Sequence, residues 1–305
     1  MTSYARSGVL AQRPRRLNPA RSGAWNLQQR YHLCPCRSPT IDPTDALAEI
    51  GLLDDDAIVL GDAALLLASL DHPEIDLEPY FNLIAEMTDR LAEVGDGVQL
   101  ALEQAAALSA IIGEEYGFTG DDETYDDPDN ADLIRVIDRR RGLPVTLAIV
   151  YVAIARGVGW TIEALNTPAH VLLHVGDGPV VIVDPFDGGT VVEADAVGML
   201  LARAGGLPRP PRTEPFENLS NRGVLMRLLS NQTQRARAGG QSERALILCE
   251  RMTILSPTTT ALWWERATLE RQLGRIDEAR ASLWALLETT HDPRIRAHVL
   301  AAMPN

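Results

Sequence analysis

Asp138-Arg139-Arg140-Arg141-Gly142-Leu143-Pro144-Val145-Thr146 opens an apolar run that ends at Trp160. Thr167-Pro168-Ala169-His170 follows, then Val181-Ile182-Val183-Asp184-Pro185-Phe186-Asp187-Gly188-Gly189. Proline suits the first turn of a helix, where its missing N–H is not needed, so the Gly142-Leu143-Pro144 turn predicts a buried helix from Pro144 to about Gly157. Short apolar runs predict strands near Thr161–Leu165, Val171–Val175 and Val180–Val183, with Gly176-Asp177-Gly178 as a hairpin turn. A short helix near Glu193–Ala204 closes the unit. A helix N-terminus followed by His and Asp on neighbouring strands is how a thiol nucleophile, its base and the base's orienting group are presented. The thiol is missing from this stretch.

The chain has 305 residues and an ordinary apolar fraction, enough for about two domains with a sizeable core. Its net charge is −14, unevenly spread. Residues 1–40 hold seven arginines (Arg6, Arg13, Arg15, Arg16, Arg21, Arg30, Arg37) and no acid, which leaves −21 on the rest (−14 minus 7). An acidic body repels phosphate backbones, so the folded part is not expected to bind nucleic acid. Every basic residue is arginine, and alanine is abundant, a coding bias that favours a bacterial source. Cys34, Cys36 and Cys249 give no disulfide framework, so a reducing cytoplasm is the expected compartment. The longest apolar runs, around Ala57–Leu70 and Leu143–Ala155, are too short to span a bilayer, and no signal-peptide pattern opens the chain.

Residues 1–40 are aperiodic and rich in Arg, Ser, Pro and Gly, and read as disordered. His32-Leu33-Cys34-Pro35-Cys36 lacks the two-residue gap and second ligand pair of a zinc knuckle, so no metal is expected there. Helical periodicity runs from Thr44 to Tyr116, with Asp42, Asp54 and Asp76 as candidate caps and Gly95-Asp96-Gly97 as a break. Gly120–Asn130 is an acidic loop, but its sixth and twelfth positions from Asp121 hold Asp126 and Asp132, not the Gly and Glu a calcium loop needs. Asn130 is the candidate cap of a short helix carrying Leu133, Ile134, Val136 and Ile137. Arg139, Arg140 and Arg141 read first as a solvated helix end that complements the dipole, and alternatively as an anion-binding lip.

Gly205 to Arg212 reads as a stiff Pro/Gly linker. The tail from about Phe216 is helical and repeats: Leu229, Gly240 and Ala245 recur as Trp263, Gly274 and Ala279, each 34 positions on. That is the tetratricopeptide period, with a small turn residue and an alanine where helices cross. About two repeats are visible, too few for an independent solenoid, so they are expected to stack on the preceding unit.

The spaced motifs Tyr125-Asp-Asp-Pro-Asp-Asn130, Leu133, Asp138-Arg-Arg-Arg-Gly-Leu-Pro144, Pro168-Ala-His170 and Asp184-Pro-Phe-Asp-Gly-Gly189 resemble the transglutaminase-like superfamily. More closely, they resemble its SirB-type (invasion regulator) branch, which joins such a core to a tetratricopeptide tail. The resemblance spans about Thr44 to Asn305 and is most specific over 125–189. Ala169 departs from it, where the branch usually carries Gly. The resemblance implies a Gly-x-Cys turn at the start of the buried helix, a histidine on one strand and an aspartate on the next. Aligned from Gly159 backwards, the cysteine position is Pro144, and His170 and Asp184 take the other two places.

No other side chain is expected to replace the thiol. Thr146 lies two positions on, about 200° round the helix. Cys249 falls at a packing position of the tail. His174 is four strand residues from His170, roughly 13 Å, too far to share a metal ion. His170 reads either as a retained base or as a histidine satisfied by Asp184, and Asp184 either as that partner or as a turn aspartate before Pro185.

These readings predict an α+β protein in four parts. Residues 1–40 are an Arg-rich disordered segment, 41–204 a papain/transglutaminase-like core with a helical lead-in, 205–215 a linker, and 216–305 an α-helical tetratricopeptide-like tail. The expected role is a non-catalytic regulatory or scaffold protein that binds a protein partner through cleft and tail, with no cofactor, metal or membrane. Two alternatives remain: a hydrolase in which His170 and Asp184 activate water, and an anion or metabolite receptor. Arg139, Arg140, Arg141, Asn166 and Asp187 are the candidate cleft residues.

Overall fold

The computed structural model describes residues 42–168, 170–204 and 216–303. Residues 1–40, expected to be disordered, with the His32–Cys36 cluster, Ala169 and the whole of the expected 205–215 linker lie outside the described residues.

Helix α1 (Pro43–Leu52) opens with Asp42 accepting from the Thr44 N–H at 2.8 Å, the cap its sequence predicts. Helices α2 (Leu60–Ser69) and α3 (Glu78–Val94) follow. Helix α4 (Ala101–Leu108) continues as a π-helical turn over Ser109–Glu115, which sequence periodicity did not suggest. A two-residue strand β1 (Thr119–Gly120) leads into the acidic loop. Helix α5 (Leu133–Arg139) is capped by Asp132, whose side chain accepts from the Arg135 N–H at 3.2 Å, and not by the expected Asn130. Strand β2 (Arg141–Gly142) pairs in parallel with β1 and delivers the chain to helix α6 (Pro144–Gly157).

Helix α6 is buried without a break from Pro144 to Val152, as expected of a helix that is apolar all round. Strands β3 (Ile162–Leu165), β4 (Leu172–Val175), β5 (Val181–Asp184) and β6 (Thr190–Val192) form an antiparallel sheet in sequence order. Leu173, Val175 and Val183 join the main apolar core. Leu165 and Leu172 instead pack with Val197 of helix α7 (Ala194–Ala204). Period-2 alternation therefore buries both faces of this sheet.

Helices α8 (Asn221–Ala238), α9 (Ser242–Leu255), α10 (Thr260–Gln272), α11 (Ile276–Thr289) and α12 (Pro293–Ala302) complete the chain. The α8–α9 and α10–α11 turns share one geometry: Gly240 and Gly274 are both left-handed, at φ 70° and 77°. Gln241 N–H donates to Ala236 O, and Arg275 N–H to Glu270 O, each at 2.8 Å. Ala245 and Ala279 are both fully buried where helices cross. One continuous apolar cluster runs from Ala46 on α1 to Leu269 on α10, so the first tail helices share the core of the N-terminal unit. Asp71 ties them further, accepting from Arg244 and Arg251 of α9 at 2.5–2.8 Å.

Candidate functional site

The site begins at the start of α6. The Leu143 N–H donates to Asn130 O at 3.0 Å, and the Thr146 hydroxyl donates to the same carbonyl at 2.7 Å. Asn130 is itself buried, with its side-chain amide donating to Thr124 O at 2.7 Å. The acidic loop is thus a clasp that fixes where α6 begins. Thr146 is spent in that clasp and offers no hydroxyl to the site.

His170 is placed from two sides. The Thr167 hydroxyl donates to His170 O at 2.7 Å, and Arg227 Nη2 of α8 donates to Thr167 O at 3.0 Å. The ring packs edge-on to Phe186, with centroids 5.8 Å apart. His170 Nε2 meets Asp184 Oδ1 at 2.8 Å, and both side chains are more than nine-tenths buried. Asp184 Oδ1 also accepts from the Phe186 N–H at 2.9 Å, so this aspartate is both histidine partner and turn cap. The bond to Asp184 engages the Nε2 edge of the ring.

The loop after Asp184 is gripped by the π-helical turn of α4. The Ser109 hydroxyl donates to Gly188 O at 2.9 Å. A Cβ at Gly113 would stand 2.2 Å from that same oxygen, so only glycine lets the two backbones approach. On the other side, a Cβ at Gly120 would meet the Phe186 ring at 2.5 Å. Both contacts hold the segment that positions Asp184.

Pro144, Val145 and Leu143 of the α6 start and His170 line one cavity of about 410 Å³. Its opposite wall is α8, which contributes Arg227, Ser230, Asn231 and Gln234, while Tyr125 closes a side. Pro144 therefore occupies the end of a helix that faces a buried histidine–aspartate pair. It has no nucleophilic atom, and it also lacks the backbone N–H that would help bind an oxyanion there.

The other sequence candidates lie elsewhere. Arg139 donates to Asp121 at 2.9 Å and to Asn130 Oδ1 at 3.3 Å, and neighbours Asp129 at 3.7 Å. Hydrogen bonds from Thr124, with smaller help from Asn130 and the charge of Arg139, hold Asp121 down at a pKa of about 2. Arg140 ends α5 in the left-handed conformation, φ 58°, with its guanidinium 4.6 Å from the Phe118 ring centroid. Arg141 reaches Gly120 O at 3.5 Å. Asn166 is exposed and bonds Glu217 through its backbone. Asp187 is exposed and accepts from the Thr190 hydroxyl at 2.8 Å. None of these five is among the described residues that line the cavity. Neither is His174, which sits on β4 opposite Glu163 and Ile182. Cys249 is fully buried on α9, and burial with the nearby Glu265 pushes its thiol up to about 12.

Arg227, Ser230, Asn231 and Gln234 were not singled out in the sequence, although a signal was there. They recur at i, i+3, i+4 and i+7, a polar stripe beside the apolar Val224, Leu225, Leu228 and Leu229. Polar stripes usually face solvent, and only tertiary packing turns this one onto a cavity.

Residues 79–230 match the family model of the transglutaminase-like superfamily. The match ends inside α8, within the helix that walls the cavity. A UPF0162 protein of Xylella fastidiosa is 27% identical over 260 residues, covering 82% of this chain and 92% of its own. A UPF0162 protein of Pseudomonas aeruginosa is 28% identical over 254 residues, covering 83% of this chain and 92% of its own. The crystal structure of menin is similar at a TM-score of 0.41 and 11% identity, covering 79% of this chain and 69% of that one, too distant to fix a shared fold. No helix among the described residues is long and apolar enough to cross a membrane.

Proposed function

We propose that this transglutaminase-like domain is a non-catalytic binding module of the SirB-type branch, with a tetratricopeptide-like tail, acting as a cytoplasmic regulator or scaffold for a protein partner. The observation that carries the reading is Pro144 lining the same cavity as His170. Acyl transfer through a side chain needs a nucleophile beside the base, and proline supplies none. What remains is a concave, mostly polar cavity between core and tail, lined by a histidine that Asp184 holds from behind. Such a site binds and orients a group without changing it.

The test combines turnover and capture on the full chain. The wild type is expected to leave amide and ester substrates unchanged. Ser230→Trp, which fills the cavity from α8, is expected to lose a partner that the wild type retains. Turnover that disappears in His170→Gln would overturn the reading.

A second reading keeps His170 as a base acting on water, favoured by the 2.8 Å bond to Asp184. General-base help of that kind supplies about 10²–10⁴ in rate. Without a nucleophile or the oxyanion donor lost at Pro144, it describes a weak hydrolase.

A further inference from the structure

The cavity differs in charge from the molecule around it. The chain carries −14 overall, yet no acidic side chain is among the described residues that line this cavity. Its one formal cation is Arg227. Among the described residues no carboxylate pairs with that guanidinium. Its Nη2 bonds, at 3.0 and 3.5 Å, go to the carbonyls of Thr167 and His170.

The neighbouring charges are committed elsewhere. Asp184 is bonded to His170 and the Phe186 N–H. Arg235, two turns along α8, bonds Tyr125 O at 3.1 Å and lies 3.9 Å from Asp126. Arg139 holds Asp121. Among the described residues most partly buried arginines have a carboxylate; Arg227, like Arg140, Arg222 and Arg296, does not, and of these four it alone lines the cavity.

We propose that the cavity binds a carboxylate, with Arg227 as its principal cation and the side-chain amide of Gln234 pairing with an adjacent peptide group, Asn231 being engaged with Arg227 O and Arg235 within α8. This deepens the binding-module reading and rests on it. A guanidinium presents a planar fork that matches a carboxylate in two parallel bonds. One cation in an otherwise neutral lining balances a monoanion, whereas a phosphate dianion would be left with uncompensated charge. The carboxylate belongs to a peptide terminus or to a free small acid, and both sources present the same group.

The experiment titrates the full chain with four probes, followed by ligand-observed NMR: a random N-acetyl tetrapeptide pool with a free C-terminal carboxylate, the same pool amidated, N-acetylalanine and inorganic phosphate. The acid pool is expected to bind at least about tenfold more tightly than the amidated pool, the size of one charge-assisted pair. N-acetylalanine distinguishes the sources: binding equal to the pool means the free acid suffices, and weaker binding means the peptide chain is read too. Arg227→Gln should remove the preference for acid over amide.

Arg227 also braces the 167–170 segment, so Ser230→Glu provides a second arm. It places a carboxylate one turn from Arg227, neutralising the cation without deleting its bonds, while Ser230→Gln adds similar bulk without charge. Loss of acid binding in Ser230→Glu but not in Ser230→Gln supports the proposal. Equal binding of acid and amide, tighter binding of phosphate, no binding of either pool, or equal loss in both Ser230 variants overturns it. If the acid and amide pools bind alike and Ser230→Trp abolishes both, the carboxylate assignment fails and the binding module stands.

Discussion

Pro144 and His170 line the same cavity of about 410 Å³, the first at the start of α6 and the second bonded through Nε2 to Asp184 at 2.8 Å. A histidine bonded to a buried carboxylate thus shares a cavity with a residue that has no reactive atom; in the proposed reading these are the places of base, orienting group and nucleophile. The pair still has structural work: it satisfies two buried polar side chains that would otherwise be costly.

That work can be measured. His170→Gln retains an N–H donor for Asp184, whereas His170→Ala leaves the carboxylate buried with the Phe186 N–H. Losing the partner of a buried charge costs about 3 kcal/mol or more, while the glutamine variant should lose about 1 kcal/mol. Urea denaturation of the two variants checks this. Equal losses would mean the bond contributes nothing to folding.

Gly113 allows α4 to touch the loop after Asp184. In Gly113→Ala the added methyl meets Gly188 O, and the loop must move. Stability is expected to fall by about 1–3 kcal/mol. The side-chain NMR signals of His170 should shift although the mutation is on a distant helix. An unchanged His170 spectrum would show that the α4 contact does not position the pair.

The clasp between lead-in and tail is sensitive to acid. Burial alone would raise the pKa of Asp71, but bonds from Arg251 and Arg244 outweigh it and bring it down from 3.8 to about 2. A depressed folded-state value means the contribution is present above the unfolded value and fades as pH falls from about 4 through about 2. Asp71→Asn should therefore be less stable at neutral pH, by up to about 3 kcal/mol, and flatter between those pH values. A wild-type-like acid limb in the variant would remove Asp71 from the account.

The tail shares the core of the N-terminal unit. Cutting the chain after residue 215 would strip Val224, Leu225, Leu228, Leu229 and Leu246 from the cluster that includes Leu65 and Ile134. Each lost Leu-sized contact is worth about 2–5 kcal/mol in a core. The fragment is expected to aggregate or to unfold without a sharp transition. A soluble fragment with cooperative unfolding would show that the core closes without the tail.

Much of the architecture near the site was legible in the sequence. Pro144 at a helix start, the three short runs that became β3 to β5, and the 34-residue recurrence of Gly240 and Gly274 are local signals that tertiary packing did not override. The readings that differed depend on long-range contacts. Asn130 has the composition of a cap, but it is drawn inward to hold the start of α6, and Asp132 takes the capping place. The arginines at 139–141 are close to the cavity in sequence, yet acidic-loop and aromatic partners engage Arg139 and Arg140. The cavity's charge comes instead from Arg227, on a helix beyond the linker. No local pattern links that residue to His170; only the folding of α8 across the core does.

The most direct test is Pro144→Cys in a background carrying Cys34→Ser, Cys36→Ser and Cys249→Ala, with alkylation rate followed against pH. A thiol there would sit at a helix N-terminus in the cavity of His170, both of which favour the thiolate. The account predicts a rate midpoint clearly below the ordinary thiol value of about 8.5. It also predicts that His170→Ala in the same background moves the midpoint back up. A midpoint at or above the ordinary value, unaffected by His170, would contradict the claim that Pro144 stands at the nucleophile position.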